Sequence, residues 1–224
     1  MTLKDISQLE KNIGIEFKNK DLLRQALVHR SYLNEHPSFE LPQNERLEFL
    51  GDAVLELAVT DYLYKNFDNA EGDLTNWRAS LVNANMLANV SRDLNIEDFL
   101  YLSRGESKDK DTKARHYILA NAFESVVGAI YLDRGYTEAA NFIHRFLIIH
   151  LSTILENQLY IDPKSRFQEA AQEEAGVTPT YRVINETGPD HNKQFVVAVF
   201  LEKEEIARGE GSPSRKPKPK PPKK

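Results

Sequence analysis

Two stretches of the chain are apolar on almost every side of a helix. Residues 44–58 read NERLEFLGDAVLELA and residues 117–133 read YILANAFESVVGAIYLD. A helix with so little polar surface belongs in a core. Each stretch therefore predicts a buried central helix, the first running to about Asn66. Thr2 and Asp5 have capping-box spacing for a short first helix that stops at Gly14. Leu22, Leu23, Ala26 and Leu27 share one face of a second helix over 21–30. Two prolines make 34–43 a loop, and 68–73, with Gly72, reads as a turn. Leu74, Trp77, Leu81, Val82 and Val90 mark one more amphipathic helix, with Trp77 in the core. Residues 103–113, SRGESKDKDTK, are charged and read as an exposed loop. Thr137 caps a helix to about Leu155. The first 158 residues thus predict an all-α helical bundle.

The period then changes. Residues 160–163 form a linker, and Pro163, with Asp162 as cap, opens a helix over 164–174 that Gly176 ends. Alternation follows in 180–187 and 194–201, joined by the turn GPDHN, with a shorter third strand over 205–210. The last thirteen residues hold five prolines and six bases and no acid. Such a tail is extended and disordered rather than helical. The chain therefore divides at 1–158, 159–211 and 212–224.

Composition narrows the class. Hydrophobic content is 41% and charged content 28%, ordinary for a globular protein. The chain has no cysteine, which excludes thiolate metal sites and disulfides and suits a reducing, cytoplasmic setting. No apolar run reaches membrane-span length, and MTLKDISQLEKN lacks a secretory hydrophobic region. Net charge is −5, and because the tail carries six bases the remaining residues sum to −11. Binding to a polyanion would therefore depend on local patches and the tail.

The acids carry the chemistry. Glu45, Glu48 and Asp52 stand at i, i+3 and i+7, on one helical face. Asn121 and Glu124 stand at i, i+3 on the other buried helix. The first set reads either as a solvated stripe, with Arg46 beside it, or as ligands whose repulsion a divalent cation relieves. Two such helices meeting would surround a hard cation with oxygen donors. Carboxylates without Cys or a His cluster favour Mg²⁺ or Mn²⁺ over Zn²⁺. A di-iron bundle would need Glu-x-x-His pairs, and none of the six histidines stands three residues after a Glu. His29, beside Arg30 and Ser31, reads as structural.

NERLEFLGD resembles the signature of the ribonuclease III family, and ILANAFESVVGAIYLD is similar to that family's second active-site segment. EGDLTNWRASLVNANML resembles the family's middle helix. DPKSRFQEAAQ followed by GPDHNKQFVVAVF is similar to the double-stranded RNA-binding domain that follows. The resemblance implies an all-α endonuclease domain and a small α+β RNA-binding domain. It implies a Mg²⁺-dependent endoribonuclease, Mn²⁺ being a possible substitute, that leaves 5′-phosphate and 3′-hydroxyl ends. Glu48, Asp52, Asn121 and Glu124 would hold metal, with Asp52 and Glu124 most critical and Glu45 assisting. The family works as a homodimer, each subunit cutting one strand, and Phe49 would insert into the partner. Ser165, Gln168, Glu169 and His191 would contact duplex RNA, read by shape. Processing of ribosomal and other RNA precursors is the family expectation.

Two positions depart from the family pattern. Asn121 stands where the family usually has Asp, so a ligand remains but its charge is lost. The tail replaces the C-terminal helix of the RNA-binding domain, which leaves Phe195, Val197 and Val199 less covered and the module marginally stable. Both departures leave an alternative open, a duplex-RNA-binding regulator with impaired cleavage.

Overall fold

The computed structural model describes residues 3–108, 112–160, 163–188 and 193–211. The chain forms two compact units, Met1–Tyr160 and Ile161–Lys224.

The first unit is helical, as its patterning predicts. Its elements are α1 (Ser7–Ile13), α2 (Lys20–Ala26), α3 (Arg30–Glu35), α4 (Glu45–Asn66), α5 (Glu71–Leu81), α6 (Ala84–Asp93), α7 (Arg104–Lys108), α8 (Lys113–Arg134), α9 (Tyr136–Phe146) and α10 (Leu151–Glu156). The two apolar stretches become α4 and α8, the longest helices at 22 residues each. They sit at the centre, and α8 alone buries twelve residues. Leu55, Leu63, Phe123 and Phe142 are among the fully buried side chains between the layers. Trp77 is buried, as expected.

Several predicted helices are interrupted, each time by bonds that periodicity does not reveal. The helix expected over 21–30 ends at Ala26 because the next residues spend their backbone groups elsewhere. Tyr101 N–H donates to the Leu27 carbonyl at 2.9 Å, and His29 N–H donates to the Tyr101 carbonyl at 3.1 Å. His29 then caps α3, its Nδ1 accepting from Ser31 N–H. The helix expected from Leu74 to Val90 is two helices divided at Asn83. That side chain donates to the Ser80 carbonyl at 2.7 Å and accepts from Met86 N–H at 3.0 Å, closing α5 and opening α6. The helix expected to reach Leu155 stops at Phe146, and a 3₁₀ turn, Ile148–His150, precedes α10. The charged loop over 103–113 contains α7, whose Arg104 N–H donates to Glu35. Thr2 lies outside the described residues; α1 starts at Ser7, whose N–H and hydroxyl both bond Asp5. Gly14 ends it in the left-handed conformation, φ 71°.

In the second unit α11 (Pro163–Ala175) precedes β1 (Thr180–Thr187), β2 (Gln194–Leu201) and β3 (Glu204–Gly211). The strands form one antiparallel sheet in the order β1-β2-β3, with β3 as long as its neighbours rather than shorter. Val197 and Val199 are half-buried, and their partners on β1, Val183 and Tyr181, are 53% and 39% exposed. Asp162, His191 and the tail over 212–224 lie outside the described residues. Among the described residues no helix is long and apolar enough to cross a membrane.

Candidate active site

The two central helices cross at two glycines. A Cβ on Gly51 of α4 would lie 1.7 Å from the Glu124 carbonyl oxygen, and one on Gly128 of α8 would lie 2.3 Å from the Leu47 carbonyl oxygen. Only hydrogen fits at either position, so the two backbones touch. Asn44 fixes the start of α4 beside this crossing. Its side chain donates to the Ala26 carbonyl at 3.2 Å and its N–H to the Val28 carbonyl at 2.9 Å. The Ser125 hydroxyl of α8 approaches the Asn44 carbonyl at 3.4 Å. Glu48 and Asp52 flank Gly51, and Asn121 and Glu124 precede Gly128 by two turns and one turn. The crossing therefore brings the two acidic segments together.

Their proximity is visible in their acidity. Glu124 is pushed up to about 8, first by burial and then by the charges of Asp52, Glu48 and Glu56. Glu48 is also raised, by burial and by Glu45 and Asp52, while a side-chain hydrogen bond with Asn121 opposes the shift. Asp52 and Glu45 are exposed. Glu45 accepts from the Gln43 amide at 2.9 Å and lies 3.8 Å from Arg30. A cavity of about 630 Å³ lies along Glu45, Glu48 and Asn121, with His29, Arg30 and Asn34 among its other walls.

Glu56 belongs to this cluster and was missed by sequence reading. It stands one turn beyond Asp52, a spacing that continues the acidic face of α4. Arg78 of α5 holds it, Nε to Oε2 at 3.0 Å, while its Nη1 donates to Thr60 at 2.9 Å.

Among the described residues no three His, Cys, Asp or Glu side chains are grouped closely enough to hold a metal ion. The donor types nevertheless suit a hard divalent cation, because Glu48, Asp52 and Glu124 are near enough for their charges to raise the pKa of Glu48 and of Glu124, and Asn121 reaches Glu48. Phe49, on α4 between Glu48 and Asp52, is 81% exposed. Ser165, Gln168 and Glu169 fall on α11 at i, i+3 and i+4, and Gln168 is half-buried. His191 lies outside the described residues.

Comparison with known proteins agrees with this layout. Residues 19–151 match the family model described as Ribonuclease-III-like, and residues 163–216 match the double-stranded RNA binding motif. A protein of Dehalococcoides mccartyi called Ribonuclease 3 is 42% identical over 208 residues, covering 92% of this chain and 87% of its own. A Ribonuclease 3 of Oceanobacillus iheyensis is 43% identical over 208 residues, covering 92% of this chain and 90% of its own. A crystal structure of the ribonuclease III nuclease domain from Campylobacter jejuni matches with TM-score 0.56 at 40% identity, over 71% of this chain and all of that one. A second structure of that domain, concerned with flexibility in a region involved in dimer formation, matches with TM-score 0.57 at 41% identity, over 63% of this chain and 95% of that one. With a helical unit built on two crossed buried helices and a helix-plus-sheet unit following it in the chain, this chain belongs to the ribonuclease III family of endoribonucleases.

Proposed function

We propose that the chain is a Mg²⁺-dependent endoribonuclease that cuts double-stranded RNA, leaving 5′-phosphate and 3′-hydroxyl ends. The reading is carried by the convergence of Glu48 and Asp52 with Asn121 and Glu124 across the Gly51–Gly128 crossing. Glu48, Asp52, Asn121 and Glu124 would hold Mg²⁺, with Mn²⁺ as a substitute. The ion would supply positive charge at the phosphodiester and an acidified water.

The chain's own residues set up the rest. Asn121 orients Glu48 through their hydrogen bond. Glu124 keeps a proton near neutrality until positive charge reaches it. Arg78 occupies Glu56, so that Glu56 is paired beside the cluster. Glu45, held by Gln43 and Arg30, faces the cavity and assists there.

The active form in this reading is a homodimer, each subunit cutting one strand. Phe49 and Leu57, 81% and 57% exposed on α4, supply the apolar face that a second copy would cover. The second unit binds duplex RNA, with Ser165, Gln168, Glu169 and His191 as its contacts. Processing of ribosomal and other RNA precursors in the cytoplasm is the corresponding role.

The test is cleavage of a long RNA duplex with and without Mg²⁺ by the wild type and Glu124→Gln. Metal-dependent cutting by the wild type and none by Glu124→Gln is the expected result. A wild type inert in both Mg²⁺ and Mn²⁺ would overturn the reading in favour of an RNA-binding regulator.

A further inference from the structure

The acids of α4 continue past Asp52. Glu45, Glu48, Asp52 and Glu56 follow at steps of three, four and four, so all four share one face of the helix. The row differs between its ends and its middle. Glu45 stands 3.8 Å from Arg30 of α3, and Glu56 is paired with Arg78 of α5 at 3.0 Å. Among the described residues no Lys, Arg or His stands within ion-pair distance of Glu48, Asp52 or Glu124. Two arginines thus close the ends of the row, and the stretch between them, where the proposed ligands stand, holds no cation.

Arg78 is fixed more firmly than Arg30. The Arg30 side chain is 71% exposed and that of Arg78 is 35% exposed. With Nε on Glu56 and Nη1 donating to Thr60 at 2.9 Å, the Arg78 guanidinium spans one turn of α4. A planar fork held at two points leaves the Glu56 carboxylate one position, directed at α5. Without that hold, Glu56 is a carboxylate one turn from Asp52, and its charge already acts on Glu124. Released there, it becomes a further oxygen donor for an ion lying between Asp52 and Glu124.

Ligand number decides which divalent ion such a site prefers. Mg²⁺ takes about six oxygens in a strict octahedron and keeps several waters, whereas Ca²⁺ takes roughly six to eight in a looser shell. An added carboxylate therefore favours the larger ion. A change of net charge alone acts on both ions alike, since both are divalent.

We propose that Arg78 is a positioning residue that keeps Glu56 out of the metal's ligand set and so holds the site to the small, octahedral ion. This assignment rests on the metal-dependent reading above.

In the test, the full chain, free of RNA, is titrated with Mn²⁺ while electron paramagnetic resonance follows the free ion. Displacement of Mn²⁺ then gives the Mg²⁺ and Ca²⁺ affinities without turnover. Arg78→Ala and Arg78→Met, the second keeping the apolar stem, should each gain about tenfold in Ca²⁺ affinity relative to Mg²⁺. Glu56→Gln in either background should return the ratio to the parent's, and Arg78→Lys should fall between parent and Arg78→Met. Thermal melts of the same samples show that the variants are folded. An unchanged ratio in both Arg78 variants overturns the assignment, as does a raised ratio that survives Glu56→Gln. A parent that binds no Mn²⁺ overturns the metal reading itself, so the two failures are told apart.

Discussion

Gly51 and Gly128 stand against each other's helix backbones with no room for a methyl group on either. Replacing a mid-helix glycine by alanine ordinarily gains about 1 kcal/mol of helix propensity. Here the added carbon overlaps a carbonyl oxygen of the neighbouring helix, and neither backbone can yield without moving its helix. Overpacking of this kind costs about 1–3 kcal/mol, which exceeds the propensity gain. Gly51→Ala and Gly128→Ala should therefore melt at lower temperature than the parent. They should also cleave duplex RNA at least about tenfold more slowly, since an ångström of displacement at a reacting centre can cost about a hundredfold. A Gly51→Ala variant more stable than the parent would contradict the crossing.

Glu124 links stability to pH. Folded, it keeps its proton up to about 8, against 4.5 for an unperturbed carboxyl. Within that window the folded chain binds a proton that the unfolded chain has lost. In a chelator, stability should therefore fall as pH rises from 4.5 towards 8 and then level off. Glu48, shifted in the same direction, adds to the slope. Glu124→Gln should flatten the profile, and Mg²⁺ should do the same in the wild type by favouring the ionised form. Thermal melts across the window provide the check; a wild type that gains stability with pH relative to Glu124→Gln would count against a half-buried, protonated Glu124.

Asn121 trades charge for a hydrogen bond. Its amide donates to Glu48 and favours that carboxylate. An aspartate there could not donate when ionised and would add a further negative charge to a cluster that already holds Glu124 protonated. Asn121→Asp should lower the melting temperature without metal. It should also lower the Mg²⁺ concentration for half-maximal cleavage by about tenfold, as ligand charge raises cation affinity. A magnesium titration of cleavage measures the second effect, and an unchanged midpoint would show that Asn121 does not face the ion.

Arg115 is an internal strut. Only 2% of its side chain is exposed; it lies 3.5 Å from Glu97 and donates to the Glu106 carbonyl, tying α7 to the start of α8. Glu97 is 23% exposed and keeps Arg92 at 4.0 Å, so losing Arg115 chiefly leaves the Glu106 carbonyl without its donor, at a cost of about 1–3 kcal/mol. Arg115→Ala should reach that range in denaturant melts, and Arg115→Lys should recover only part of it, because a point charge cannot serve two partners as a planar guanidinium does.

The second unit should open before the first. Every residue of β1 is exposed, and Ala198 and Ala171 are the buried residues of the unit among those described. Amides over 195–199 should exchange with solvent faster than those of α4, whose face against α8 is buried. Equal protection in both places would refute the marginal stability expected from the proline-rich sequence after Gly211.

The parts of this fold legible in the sequence were those governed by burial. Helices α4 and α8 announce themselves because both are apolar nearly all round, and the spacing of Glu45, Glu48 and Asp52 places them on one face before any contact is known. The break after Ala26 was illegible because hydrogen bonds to a distant residue cause it, whereas the one at Asn83 comes from that residue's own bonds to Ser80 and Met86, which apolar periodicity does not show. Nothing local to Leu27 signals Tyr101, and the two-sided role of Asn83 depends on where α6 turns. Glu56 was passed over because its relevance comes from Glu124, 68 residues away in the chain, not from its own neighbours. The candidate ligand set was legible only as residues sharing a helical face; which of them meet depends on the Gly51–Gly128 crossing, which no local spacing shows.

Asn44 has a consequence for the order of assembly. The start of α4 is fastened to Ala26, 18 residues earlier, and to Ser125, 81 residues later. A ribosome delivers Glu45, Glu48 and Asp52 long before Glu124 exists, so a growing chain carries half a site on a helix whose apolar face has no cover. Closing so long a loop is slow compared with forming the helices it joins. The carboxylate face shared by α4 and α8 is therefore completed only when α8 docks, however early α4 itself has formed.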